Sequence, residues 1–218
     1  MKPVTSQPLT FFAAAGSRRE MSYSPAMAIR KIAQIGHPVL RQVARAVTRD
    51  ELLSPATQTF IDDLVETMRD ADGAGLAAIQ VYEPIRICAI EVRNNPRYPY
   101  KPHIPLTILV NPLLTPVDDE LFENYEGCLS VPNLRGVVKR SVHVRCQALD
   151  RHGNAIDEIV HGLKAGTYQH EVDHLHGKIF VDRADPATFA TWIEFVGQRC
   201  SRLSSNCTAS IAACVFPA

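Results

Sequence analysis

The sequence predicts an α+β fold built from antiparallel strands with few helices. Three observations predict it. Val142, Val144, Cys146 and Ala148 alternate with His143, Arg145 and Gln147 as in a half-buried strand, and turn residues at 150–154 fold the next run back on it, so residues 141–160 read as a hairpin. Two further apolar, strand-like runs precede it, at 85–92 and in a segment ending at Asn111-Pro112. Only two stretches carry strong helical patterns, and one of them is short.

In chain order, residues 1–26 are poor in acids, with Lys2, Arg18 and Arg19 against Glu20. Because Met21 and Met27 both offer later starts, this stretch reads as following an upstream start codon, with a transit peptide or degenerate signal as the alternative. Residues 35–40 form a turn feeding a strand or short helix. Ser54-Pro55 supplies an N-cap and a first-turn proline, after which Phe60, Ile61, Leu64, Val65 and Met68 recur at helical spacing until Gly73. Their stripe is core. A Pro- and Tyr-rich loop occupies 94–105 between the two apolar strands. The last helix is expected from about Gly162 to Leu175, stopped by Gly177. The run 134–140 is strand-like and should return beside that helix. From Arg199 the pattern lapses into an atypical tail, so the expected organisation is an extension at 1–26, one catalytic domain at 27–198 and a tail at 199–218.

At 218 residues the chain suits a single domain with a sizeable core. Its apolar content of 46% and charged content of 21% are those of an ordinary globular protein. Formal net charge is zero, which gives no electrostatic reason to propose nucleic acid or a membrane as substrate. No apolar run approaches the roughly 18 to 20 residues of a membrane span. Six cysteines are too sparse for a disulfide framework. Cys88 and Cys146 fall inside apolar strands and read as small buried hydrophobes. Cys128, in the polar block Glu126-Gly127-Cys128-Leu129-Ser130, does not.

The chemistry concentrates in His170-Glu171-Val172-Asp173-His174. On a helix the two histidines project from one face a turn apart and can reach one metal ion, while Glu171 beside them can address a water without ligating the metal. Alone, the pentapeptide also fits a solvated helix face with two histidines and two acids. Two further blocks accompany it: Gly73-Ala74-Gly75-Leu76-Ala77-Ala78-Ile79-Gln80, and the Glu126–Ser130 block around Cys128. In this order, with Gln169-His170-Glu171-Val172-Asp173-His174-Leu175-His176-Gly177, the three resemble the peptide deformylases, whose signature is G-x-G-L-A-A-x-Q, E-G-C-L-S and Q-H-E-x-D-H-L-x-G. The resemblance spans about residues 27–185.

That resemblance implies small antiparallel or mixed sheets packed around a central metal-binding helix. It implies Cys128, His170 and His174 as ligands of one divalent metal, Fe²⁺ first, with Zn²⁺, Ni²⁺ or Co²⁺ able to take its place. One sulfur and two nitrogens leave a fourth position for water, the pattern of a catalytic rather than a structural site. His161 and His176 are the spare histidines, and His176 lies on the far side of the helix from His174, where it reads as a solvated helix end. Glu171 is the expected base, with the Gln80 amide and the Leu129 N–H as oxyanion donors. Gly75 is expected to pair with a peptide substrate in strand fashion, and Gly166, where the family carries bulkier residues, to leave room for a substrate side chain. Arg135 matches a family arginine near the substrate entrance, its alternative being an exposed solvated side chain.

Asp173 has no catalytic duty in this scheme. On an enclosed helix its carboxylate needs a partner, and Arg140 is the expected one. The implied reaction is removal of the formyl group from N-formylmethionyl nascent peptides, with the ribosome as a further candidate partner and no membrane or direct nucleic-acid substrate. The implied location is the bacterial cytoplasm, an organelle staying open because of residues 1–26. The rival readings are a zinc endopeptidase using the same helix, and a catalytically silent metal- or peptide-binding module.

Overall fold

Local capping signals set the helix boundaries. In the computed structural model, which describes residues 28–93 and 102–195, the His37 ring opens a 3₁₀ turn at Pro38–Arg41 by accepting from the Val39 N–H. Helix α1 (Arg49–Leu53) is capped by the Thr48 hydroxyl, and α2 (Pro55–Asp70) by the Ser54 hydroxyl with Pro55 in the first turn. The expected stripe of Phe60, Ile61, Leu64, Val65 and Met68 is buried, each fully buried aliphatic contributing about 1.5–3 kcal/mol. Strand β1 (Gly75–Ala77) follows, then a 3₁₀ turn at Ala78–Val81 and β2 (Ile87–Val92).

The next strand departs from expectation. Instead of ending at Asn111-Pro112, β3 runs Ile104–Pro116 straight through that dipeptide. A register irregularity between Val110 and Leu113 absorbs it, because proline cannot donate to the ladder. Asn111 takes a left-handed φ of 52° there, and its amide replaces the missing ladder by pairing both ways with the Val47 backbone. Strands β4 (Leu121–Cys128) and β5 (Val131–Ser141) form one hairpin, and β6 (His143–Leu149) and β7 (Ala155–His161) the other, as the alternation of 142–148 predicts.

Helix α3 spans Gly162–Leu175, and a short strand, β8 (Ala190–Thr191), lies beyond it. The helix closes by paired bonds from Gly177 N to His174 O (3.0 Å) and Lys178 N to Asp173 O (3.0 Å), with Gly177 at φ 71°. Its stop signal was therefore a true one.

The strands form two antiparallel sheets, ordered β1-β2-β3-β6-β7 and β4-β5-β8, with α3 packed against both. The fold is α+β with small sheets around a central helix, as expected. Ala165, Tyr168 and Leu175 of α3 join Cys88, Cys146 and Val138 of the strands in one core, while α2 closes a second over β1 and β2. No described helix is long and apolar enough to cross a membrane. The extension at 1–26 and the tail at 199–218 lie outside the described residues.

Candidate metal centre

Two elements converge on one point. Cys128 ends β4, and α3 presents His170 and His174 one turn apart, so that Cys128 Sγ and one ring nitrogen of each histidine lie within 4.8 Å of one another. Sγ is 3.3 Å from His174 Nε2. The Ser130 N–H (3.4 Å) and Gln80 Nε2 (3.5 Å) both donate to the sulfur.

The electrostatics of the donor set suit a cation. His170 sits between the sulfur and the Glu126 carboxylate: burial opposes charge on its ring, but hydrogen bonds to Cys128 and Glu126 outweigh this and hold its pKa well above the ordinary histidine value. Burial, reinforced by the neighbouring His170, pushes His174 well below that value and keeps it neutral. One cysteine sulfur and two imidazoles, one of them flanked by that sulfur and by the Glu126 carboxylate, fit a borderline divalent metal.

Glu126 Oε2 lies 2.8 Å from His170 Nδ1, which directs the other ring nitrogen toward the sulfur. Burial alone would raise the Glu126 pKa, but hydrogen bonds from His170 and Arg140 hold it well below the usual carboxylate range. Arg140 grips Glu126 through Nε (2.7 Å) and Nη2 (2.9 Å) and reaches Asp173 Oδ2 with Nη1 (2.6 Å). The expected Asp173–Arg140 pair is therefore present. Arg183 adds a second clamp, 2.7 Å from Asp173 Oδ1. Neither Glu126 nor Arg183 had an assigned role in the sequence. Glu126 was nonetheless legible in principle, since residues two apart on a strand share a face, and Asn124, Glu126 and Cys128 are buried together.

Glu171, 3% exposed, faces the cavity from the same helix. A Cβ placed on Gly75 would overlap its carboxylate, so β1 needs glycine where it passes the base. Gln80 is held in place from behind: the Ala77 N–H donates to Oε1 (2.8 Å), and Nε2 donates to Ser130 Oγ (3.0 Å). Ser130 is a further contributor that the sequence did not single out. Leu129 follows the thiol in the β4–β5 turn. With Gly75, Gln80, Cys128, His170 and Glu171 it lines one cavity.

Two expected substrate contacts find different surroundings. Gly166 borders that cavity, but the room a Cβ would take is filled by Asn124 Nδ2 (2.9 Å) and Phe122 Cζ (3.1 Å), so close packing of α3 on β4 explains the glycine rather than open space. Arg135 is neither exposed nor in the cavity of Glu171. It is 2% exposed, with its guanidinium 4.2 Å from the centre of the Trp192 ring and 5.1 Å from that of Phe195, and it lines a neighbouring hollow on the other side of Cys128. Cys88 and Cys146 are buried free thiols in the sheet core, where burial pushes Cys146 up to about 12. His161 and His176 are exposed and outside the ligand set, as expected for His176.

Comparison with known proteins agrees with this geometry. A family model described as polypeptide deformylase matches residues 29–190. A curated relative named peptide deformylase 1, from Prochlorococcus marinus (strain MIT 9313), is 42% identical over 167 residues, 75% of this chain and 85% of the relative. Another peptide deformylase 1, from Nitrosomonas europaea, is 40% identical over 152 residues, 70% of this chain and 85% of the relative. Among solved structures, the Met-Ala-Ser-bound class I type b peptide deformylase of Acinetobacter baumannii aligns with a TM-score of 0.69 and 36% identity, over 72% of this chain and 99% of that one. The peptide deformylase of Thermotoga maritima aligns at 0.65 and 31% identity, over 73% and 99%.

Proposed function

We propose, for a chain that belongs to the peptide deformylase family, that Cys128, His170 and His174 hold the metal and Glu171 moves the protons of the reaction. The reaction itself is metal-dependent hydrolysis of the formyl group from the N-terminal formylmethionine of peptides, releasing formate. The observation that carries the division of labour is that the three donor atoms lie within 4.8 Å of one another while Cys128, His170, Glu171 and Gln80 line one cavity. Neither the endopeptidase nor the silent module draws support from the comparisons.

A divalent metal in this set lowers the pKa of water toward neutrality and polarises a carbonyl. Fe²⁺ is the proposed native ion; the donor set supports Zn²⁺, Ni²⁺ or Co²⁺ equally in kind. Glu171 takes the proton of the attacking water and returns one to the leaving amine nitrogen. The position of Gly75 supports this, since it lets the carboxylate stand against β1 without a side chain between them. Gln80, with Oε1 anchored on Ala77 and Nε2 donating to Ser130 Oγ and Cys128 Sγ, is the first proposed donor to the negative charge that develops on the formyl oxygen, one of those two N–H bonds being redirected to it, and the Leu129 N–H is the second. Glu126 holds His170 in one tautomer and orientation.

β1 is the edge strand of its sheet among the described residues, which supports a peptide aligning along Gly75 as an added strand. Arg135 and Gly166 have structural duties that make a direct substrate role unnecessary. Nascent chains at the ribosome, in the bacterial cytoplasm, are the proposed setting, supported by the bacterial sources of the relatives. The test is formate release from a formyl-Met tripeptide beside cleavage of its unformylated counterpart. Formate from the first with no cleavage of the second is expected; cleavage of the second with no formate would overturn the reading.

A further inference from the structure

A second group of metal-ligating side chains lies away from the catalytic cavity, where the β3–β4 connection passes the start of β6. His143 Nδ1 is 2.8 Å from Asp118 Oδ2 and 3.8 Å from Glu120 Oε2, and the three donor atoms lie within 4.8 Å of one another. His161 stands directly opposite His143 in the β6–β7 register, on the same face of the sheet, with ring centres 6.5 Å apart. Directly opposed cross-strand residues bring their Cβ atoms to about 5 Å, close enough for two imidazoles to share an ion.

The backbone holds these donors in place. Val117 N bonds His143 O (3.0 Å) and Val142 N bonds Glu120 O (2.9 Å), which ties the β3–β4 connection to β6 on both sides of the group. The Glu120 N–H occupies Asp118 Oδ1 (3.0 Å) and fixes that carboxylate with Oδ2 turned to His143. Gly162 N bonds Val142 O (2.9 Å), so the first residue of α3 is fastened to the same point. His143 is only half-buried, and Asp118 and Glu120 are open to solvent, so an ion can enter.

We propose that Asp118, Glu120 and His143, joined by His161 through rotation of its exposed ring, form a second divalent-cation site of the Zn²⁺ or Ni²⁺ class. Two imidazoles and two carboxylates suit a borderline ion rather than Mg²⁺ or Ca²⁺, which take oxygen alone. The site staples the entry of α3, the helix that carries His170, Glu171 and His174, to the β3–β4 connection. Occupancy therefore stabilises the chain by mass action without entering the reaction.

The experiment is calorimetric titration with Zn²⁺ of full-length protein already carrying one equivalent of Zn²⁺, comparing wild type with His143→Gln and Asp118→Asn. Thermal midpoints with and without excess Zn²⁺ are read on the same samples. The site predicts that His143→Gln binds one equivalent fewer than wild type, or binds it about tenfold or more weakly, and that Zn²⁺ raises the midpoint of wild type more than that of either variant. Formate release by the one-equivalent enzyme should be the same in all three and shows that the variants are folded. Identical stoichiometry and affinity in wild type and both variants would overturn the proposal, as would wild type taking up no Zn²⁺ beyond the first equivalent.

Discussion

Glu126 Oε2 stands 2.8 Å from His170 Nδ1, while the same carboxylate is held from its other side by Arg140. The proposed metal ligand His170 is thus oriented by a buried anion that is itself neutralised. Replacing that anion by an amide, Glu126→Gln, should weaken metal retention about 10- to 100-fold, measured by competition with a chelator. The effect on stability has a definite pH dependence. Because the folded-state pKa of Glu126 is depressed, its contribution is fully present above the unfolded value of about 4.3 and is lost as pH falls from there toward the folded value. The wild-type advantage over Glu126→Gln in metal-free protein should therefore be greatest between about pH 4.3 and 6.5, shrink below that window as Glu126 takes up a proton, and shrink above it as His170, whose raised pKa rests on Glu126, loses one. An advantage that goes on growing as pH falls below about 4.3 would contradict the assignment.

Gly75→Ala is a sharper test of geometry. The new methyl would overlap the Glu171 carboxylate, which must move aside, whereas Cys128, His170 and His174 are not among the atoms it meets. Turnover should fall about 100-fold, the cost of misplacing a reacting group by an ångström or so. Metal content should stay normal. Loss of metal in parallel with turnover would mean that the substitution disrupts the ligand set rather than the base.

Asp173→Ala should destabilise the fold with little change in the chemistry of the folded molecules. The sequence led to an expected loss of about 3–5 kcal/mol, the cost of stranding a buried arginine. The structure lowers that figure, because Arg140 keeps both of its bonds to Glu126 and Arg183 is partly exposed. About 2–3 kcal/mol is expected, the scale of a lost charge-assisted hydrogen bond. Denaturant titration reads it directly, and an unchanged midpoint would show that the pair contributes nothing.

These cases show which parts of the molecule were legible beforehand. The spacing of His170 and His174 fixes their common face whatever the helix packs against, so two of the three proposed ligands are a local property. Cys128 and Gln80 are more than forty residues before His170, and only the three-block pattern, not spacing, joins them to it. Asp173 could be seen to need a cation, but the fold made Arg140 a bridge between two carboxylates and added Arg183, since partners depend on where β5 and the segment after α3 cross. The burial of Arg135 is not legible in the sequence for the same reason: its neighbours Trp192 and Phe195 arrive from a segment whose path the local pattern does not give. β3 was cut short at Asn111-Pro112 because a breaker dipeptide reads as an end, whereas the side chain of Asn111 supplies the bonds that carry the strand past it.

The central claim, a metal held by Cys128, His170 and His174 with Glu171 moving protons, is tested most directly by Glu171→Gln. Metal content by elemental analysis and formate release from a formyl-Met tripeptide are measured on one preparation. An amide of the same shape still fits against Gly75 but cannot accept the proton of the attacking water. The account predicts full metal occupancy with nearly all turnover lost; near-normal formate release at full occupancy would contradict it.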